Sequence, residues 1–404
     1  MKPLNRRGRV GIGIVLLVVM SFVVGVGFER VRAGDTLEKK LEVFWQALDA
    51  VRSDYVEKNL EPSRLVYGAI RGVLESLEDP YSRFLEPKDY KEMKMRMNGA
   101  YNGIGIYIGL KNKQLVVISP IEGTPADKAG LRSGDRIATI DGRATKDMAL
   151  EMAVGLIRGL KGTTVTLGIL RGDAKEPFEV KIVRAQIVVQ SVKTRILDGK
   201  IGYLKLMTFE NRNAADEVKA ALNDFIAQGC RGMVLDMRGN GGGLLKNAQD
   251  IASLFIEKGA VVHTVDRDGR RESLMVSGDI IWTKPIVVLV NEFSASASEI
   301  LAGAIQDSGV GPVVGTHTFG KASVQHVREF SDGSAMLITI AKYLTPSGHD
   351  ITKKGIQPDV LIELPKKPGV DEEMVDPMKI DVEHDIQLQK SIEVLKAKMS
   401  GGAR

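Results

Sequence analysis

Between Gln186 and Pro365, strand-like apolar runs alternate with helix-like amphipathic runs: Ile201–Lys205, Ala214–Gln228, Gly232–Asp236, Leu244–Phe255, Ile286–Val290, Ala297–Gln306 and Val313–Gly315. Parallel strands can be joined only by a connection that carries the chain back to the same end of the sheet, so this order predicts an α/β core with a mainly parallel sheet. The texture before Asn98 and after it differs. Short β-rich runs (Gly103–Ile108, Leu115–Ile118, Arg136–Ile140, Thr164–Leu170, Phe178–Val183) surround one predicted helix, Asp147–Leu160, in a stretch of domain length. Upstream, helices are predicted over Thr36–Lys58, Pro62–Leu77 and Pro87–Met97, with a break at Asp79–Leu85. The expected division is residues 1–34 as a cytoplasmic tip and membrane segment, 35–98 helical, 99–185 β-rich, 186–365 α/β, and 366–404 a linker with a last helix at Ile386–Met399.

The run Val10–Phe28 carries no charge and is about long enough to cross a hydrocarbon core as a helix. Lys2, Arg6, Arg7 and Arg9 precede it, so the positive-inside rule exports everything that follows. A retained single-pass anchor in the inner membrane, with the folded body on the periplasmic side, is the expectation. A cleaved signal peptide, with Val31-Arg32-Ala33 as the cut, is the alternative. Those four cations supply most of the net charge of +5, and no basic stripe with interleaved aromatics remains to bind nucleic acid. Cys230 is the single cysteine and the five histidines are scattered, so no metal or other cofactor is expected.

In the β-rich block, Gly103-Ile104-Gly105-Ile106 enters a strand. Glycines there let successive backbone N–H groups converge on a carboxylate, and the strand that follows can accept an extended peptide as a neighbour. A generic turn would explain such a loop on its own. The stretch Pro120–Gly142 adds Pro125-Ala126, Ala129-Gly130-Leu131 and Gly134-Asp135, a pattern that resembles PDZ domains of exported proteases. The resemblance implies that Gly103, Ile104, Gly105 and Ile106 bind chain ends, with the helix Ala149–Leu160 as the other wall of the groove.

Three further segments carry candidate chemistry. Asp236-Met237-Arg238-Gly239-Asn240-Gly241-Gly242-Gly243 joins an apolar strand to a helix. It reads as a flexible turn or as half of an oxyanion hole with the Gly242 N–H as donor; it lacks the pattern of a phosphate loop. Asn291–Ile300 presents Ser296 at a strand-to-helix turn, either as a nucleophile or, with Glu299, as a capping box. Thr318-Phe319-Gly320-Lys321-Ala322-Ser323-Val324-Gln325 offers a lysine that is a general base only if neutral, and Phe319 is a candidate for its apolar shield. A solvated lysine is the ordinary alternative. His317 and His326 bracket Lys321 and keep a Ser–His–Asp triad in view, although on a strand His326 faces away from Lys321 and Gln325.

The pair Asn-x-x-Ser-Ala-Ser-Ala-Ser-Glu-Ile and Thr-Phe-Gly-Lys-x-x-Val-Gln resembles the signature of carboxyl-terminal processing (tail-specific) serine proteases, peptidase family S41, and Asp-Pro-Tyr-Ser near Pro80 fits as well. The resemblance implies a crotonase/ClpP-like α/β protease core with an inserted PDZ domain. It implies Ser296 as nucleophile, Lys321 as base, Gln325 as the residue that orients the lysine, and the Gly242 and Ala297 amides as the oxyanion hole. The resemblance implies C-termini of unfolded or tagged exported proteins as partners; the N-terminal anchor adds the membrane, and the amphipathic terminal helices make a homodimer the expected assembly. A catalytically silent tail-binding scaffold and a crotonase-like acyl-CoA enzyme are the rival readings; export and the PDZ pattern disfavour the second.

Overall fold

The computed structural model describes residues 37–111, 114–172, 174–188, 190–278, 280–363 and 382–401. The apolar run Val10–Phe28 and the linker beyond Pro365 lie outside the described residues. Among the described residues no helix is long and apolar enough to cross a membrane. The chain divides into two units, up to Val73 and from Leu74 onward. The described part of the first is helical, over 37–54 and the greater part of Pro62–Glu75, and its first helix exposes Leu37, Leu41, Phe44 and Trp45.

The second unit is built on a six-stranded sheet whose strands lie side by side in chain order: Val192–Leu197, Ile201–Leu206, Gly232–Asp236, Ile286–Val290, Val313–Gly315 and Val360–Leu361. Only the first pairing is antiparallel. The run IVVLV at Ile286–Val290 is buried throughout, as a central parallel strand requires. Its residues alternate in destination. Ile286, Val288 and Val290 join the core under the helices Ala214–Ala227, Leu245–Ser253 and Ala297–Asp307, while Val287 and Leu289 face the opposite side. Sequential strand order with right-handed crossovers puts every crossover helix on one face. The other face therefore needs a separate cover, and the C-terminal helix Ile386–Gly401 supplies it with Leu388 and Leu395. The approach is close at Gly232, where a Cβ would lie 3.0 Å from Met399 Sδ.

A second, five-stranded sheet is absent from the sequence reading. Ala335–Leu344 pairs with Arg83–Leu85, Ala260–Asp266 and Ser323–Glu329, and Arg271–Met275 extends it. Ser323–Glu329 and Arg271–Met275 are rich in polar residues and none of their residues is buried, and Ala335–Leu344, though mostly apolar, is only partly buried, so the period is weak. Their pairing carries the Asp79–Leu85 break, far away in sequence, to the edge of the α/β core.

The β-rich region forms its own sheet over Ile106–Lys111, Gln114–Pro120, Arg136–Ile140, Thr164–Leu170 and Phe178–Val183, with a core that includes Val117, Ile137, Ile140, Val165 and Leu167. The chain enters and leaves it through paired strands, Ala100–Gly103 and Ala185–Val188. The expected strand Gly103–Ile108 is broken at Ile104-Gly105, where Gly105 has φ +82°. The expected helix Asp147–Leu160 is shorter, Leu150–Ile157, because Asp147 takes a positive φ and Arg158 returns to extended backbone. The buried Arg184 guanidinium donates to the Leu156, Ile157 and Thr164 carbonyls, satisfying groups that a helix end leaves open.

Candidate active site

Ser296 closes the turn after the strand Ile286–Val290 and opens the helix Ala297–Asp307, with φ 56° and ψ −115°. Few L-residues adopt that backbone, and such strain persists only where the surroundings impose it. Here the neighbouring serines do so. Ser294 Oγ donates to the Met237 carbonyl at 2.8 Å, Ser298 Oγ to the Asn240 carbonyl at 2.8 Å, and Ala295 N–H to the same Asn240 carbonyl at 3.0 Å. Ser294 and Ser298 are fully buried, which leaves Ser296 as the member of the run that solvent reaches.

These bonds press the turn against the glycine-rich loop. Gly242 has φ +95°, and a Cβ there would lie 2.6 Å from Ala295 O and 2.8 Å from both Ala297 N and Ser296 Cβ. Only glycine fits. Ala297 is the first residue of the helix, so its N–H has no intrahelical acceptor. The Gly242 N–H is already engaged, donating to Asn240 Oδ1 at 2.9 Å.

Glu299 ties this turn to the lysine loop. Its buried carboxylate accepts from Ser296 N–H at 2.8 Å and Lys321 N–H at 2.9 Å on one oxygen, and from Gly320 N–H and Thr318 Oγ1, both at 2.6 Å, on the other. The Tyr343 hydroxyl donates to the Lys321 carbonyl and lies 3.2 Å from the Ser296 carbonyl. Burial pushes the Glu299 carboxyl above its usual range against the pull of those donors, and burial with Glu299 beside it pushes the Tyr343 phenol well up. Glu299 reads from sequence as a capping partner of Ser296, which it is. Its bonds to residues 318–321 and the part played by Tyr343 carry no local signal.

The Lys321 ammonium lies 4.6 Å from the centre of the Tyr81 ring. Burial, then the charge of Arg83, lower its pKa, while Asp79 and Glu299 oppose the shift. Phe319 does not shield it as expected: that ring is 54% exposed, because its backbone is drawn to the Ser294 carbonyl while its side chain points outward, and Tyr81 takes the place beside the lysine. Gln325 follows a register shift in its strand, and its amide donates to Ser323 Oγ at 2.9 Å and Thr339 Oγ1 at 3.2 Å. It reaches the lysine's surroundings through Thr339, which donates to Asp79 at 2.6 Å. Burial raises Asp79, but hydrogen bonds from Ser82, Thr339 and the Tyr81 N–H, with the Lys321 charge, outweigh it and leave the carboxyl low. His317 and His326 are both exposed.

In the β-rich domain, Gly103, Ile104 and Gly105 are buried and Ile106 half-buried. The Ile104 and Gly105 carbonyls accept from Ala126 N–H and Ile121 N–H at 2.8 and 2.9 Å, which turns the loop's carbonyl side inward. A Cβ on Gly105 would strike Thr124 at 2.4 Å. Ile106–Lys111 stands at the end of the strand order, so its outer edge can pair with a further strand. Ile104, Ala153 and Ile157 are buried in the core beside it.

Residues 200–362 match the model of peptidase family S41, residues 102–182 that of the PDZ domain, and residues 28–89 that of the N-terminal domain of the activating protease CtpB. The carboxyl-terminal-processing protease of Synechocystis sp. is 38% identical over 351 residues, 85% of this chain and 80% of that one. The carboxy-terminal processing protease CtpA of Bacillus subtilis is 37% identical over 357 residues, 87% and 75% of the two chains. The chain belongs to peptidase family S41. It is a serine-type, carboxyl-terminal processing protease with a PDZ domain. Its structure is similar to that of the photosystem II D1 C-terminal processing protease, with a TM-score of 0.51 at 34% identity over 79% of this chain and 92% of the other. The S41 protease from Bacteroides fragilis shares the fold, with a TM-score of 0.56 at 17% identity over 88% and 97% of the two chains.

Proposed function

We propose that this protease captures the C-terminal tail of an unfolded or tagged exported protein beside Ile106–Lys111 and cleaves it with a Ser296–Lys321 dyad. The observation that supports this best is the single Glu299 oxygen that accepts from both Ser296 N–H and Lys321 N–H, holding the two candidate residues on adjoining loops. Neutral Lys321 takes the Ser296 proton as Oγ attacks the peptide carbonyl. The oxyanion is received by the Ala297 N–H and by the Gly242 N–H, which exchanges its Asn240 acceptor for the substrate oxygen. The lysine then passes its proton to the leaving amine, and water releases the acyl group from Ser296. A lowered lysine pKa makes the neutral base accessible closer to physiological pH. Gln325 supports the base through Thr339 and Asp79.

In this reading Val10–Phe28 anchors the protease in the inner membrane and leaves residues from 35 onward outside the cytoplasm. The exposed apolar residues of helix 37–54 suit self-association as a homodimer. The decisive experiment incubates wild type, Ser296→Ala and Lys321→Ala with an unfolded substrate bearing an apolar C-terminus. Cleavage is expected only in wild type. Cleavage by Ser296→Ala would refute the dyad and leave a tail-binding scaffold. Alkaline carbonate should retain the full chain in membranes and release a chain lacking residues 1–34; release of both would refute the anchor.

A further inference from the structure

We propose that Asp79–Arg83 is part of the catalytic apparatus, a turn locked by the Asp79 hydrogen bonds that positions Lys321 against the Tyr81 ring. The proposal rests on Lys321 being the base. The segment precedes residues 200–362, yet it is built into the site at both ends. Downstream, Arg83, Phe84 and Leu85 pair with Leu337, Met336 and Ala335, and Phe84 and Leu85 are buried. Upstream, Asp79 accepts from Tyr81 N–H at 3.0 Å, Ser82 Oγ at 2.6 Å and Thr339 Oγ1 at 2.6 Å, while Ser82 Oγ accepts from Thr339 N–H at 3.0 Å. The tight turn fixes the Tyr81 ring, and the ring lies against the Lys321 ammonium at 4.6 Å.

The chemistry of this placement is a balance. An aromatic face and a carboxylate favour the ammonium, whereas a guanidinium and burial favour the free amine that a general base needs. The charged and titratable groups around Lys321 are Asp79, Tyr81 and Arg83 on this segment and Glu299 on the helix Ala297–Asp307, with the Tyr343 hydroxyl on the lysine's own carbonyl. Glu299 is held by three backbone N–H groups and the Thr318 hydroxyl, with the Tyr343 hydroxyl 3.5 Å away. Asp79 is tied in the same way, to the Tyr81 N–H and the Ser82 and Thr339 hydroxyls, whereas Arg83 is exposed and can be replaced without disturbing the core.

The test uses the full-length protease and a fluorophosphonate, which phosphonylates the active serine with loss of fluoride. Its rate is followed against pH, with the labelled residue mapped by mass spectrometry. In wild type the rate should rise with pH as Lys321 loses its proton. Arg83→Gln removes a neighbouring positive charge and should move that rise to higher pH by roughly half a unit; Asp79→Asn should move it down by a similar amount. Tyr81→Phe should retain the wild-type profile and Tyr81→Leu should lower the plateau several-fold. A Tyr81→Leu plateau equal to wild type would overturn the proposal while leaving the dyad intact, and an Arg83→Gln profile superimposable on wild type would remove Arg83 from it. Labelling that persists in Ser296→Ala would overturn the dyad itself, and the proposal with it.

Discussion

The proposed tail-binding groove and the proposed catalytic site are assembled in opposite ways. The groove is nearly contiguous: its loop, edge strand and helix fall between Gly103 and Ile157, inside one small sheet with its own core. The proposed catalytic site draws on five separated segments, around Asp79–Arg83, Asn240–Gly242, Ser294–Glu299, Thr318–Lys321 and Thr339–Tyr343. Substitutions in the groove should therefore act on tail capture alone. Those in the catalytic knot should disturb nucleophile and base together, because Glu299 and Tyr343 touch both loops.

The largest expected effect is at Gly242. Alanine there meets the Ser296 turn in a positive-φ backbone, so kcat/KM should fall at least about a hundredfold on tailed and untailed substrates alike. Activity close to wild type would break the proposed oxyanion geometry. Glu299→Gln turns an amide N–H toward N–H and O–H donors inside a buried site, and should cost about 2–4 kcal/mol in chemical denaturation as well as activity. An unchanged midpoint would show that the knot is not a structural tie. Gly105→Ala, pressed against Thr124, should raise KM for tailed substrates about tenfold while leaving kcat on a short untailed peptide unchanged. A loss of kcat on that peptide would erase the contrast between the two regions.

Acid should loosen both regions by the same sign. In the core, burial of Asp236 is outweighed by Arg238, which also binds Asp385; in the PDZ domain, burial of Asp135 is outweighed by Arg171. Both carboxyls have folded-state pKa values below the ordinary carboxylate value of about 3.9. The unfolded chain takes up protons first as pH falls, so this stability is present above that value and is lost as pH drops through the folded-state pKa values. Denaturation of Asp236→Asn and wild type should differ at pH 7 and converge at low pH; a constant difference would contradict the assignment. The smallest effect is expected at Phe319, whose exposed ring should tolerate alanine within about 0.5 kcal/mol and without a shift in the pH profile.

Much of this contrast governs what could be read in advance. The strands Gly232–Asp236, Ile286–Val290 and Val313–Gly315 coincide with their apolar runs, because buried parallel strands are hydrophobic on both faces. Ser296, Gly242 and Lys321 stood out as candidates only together, through the paired motifs and their resemblance to family S41, since each alone also reads as a helix cap, a flexible turn or a solvated lysine. The antiparallel sheet did not stand out, because Ser323–Glu329 and Arg271–Met275 are half polar and depend on long-range partners. Tyr81 lies in the Asp-Pro-Tyr-Ser segment that fits the family, but its place beside the lysine was invisible for the same reason. Its contact with Lys321 exists only after Arg83–Leu85 pairs with Ala335–Leu344, and an apolar neighbour in sequence, Phe319, was the more obvious shield. The C-terminal helix showed its helical period but not its function of covering the second face of the sheet, which follows from the strand order.

The central claim is that Ser296 is acylated with Lys321 as its base. Its most direct measurement is single-turnover acylation by an activated ester, with the modified residue identified by mass spectrometry in wild type and in folded Lys321→Ala. The account predicts an adduct on Ser296 in wild type, forming faster as pH rises, and a rate at least about a hundredfold lower in Lys321→Ala at pH 8. Equal rates in the two proteins, or an adduct on another residue, would contradict it.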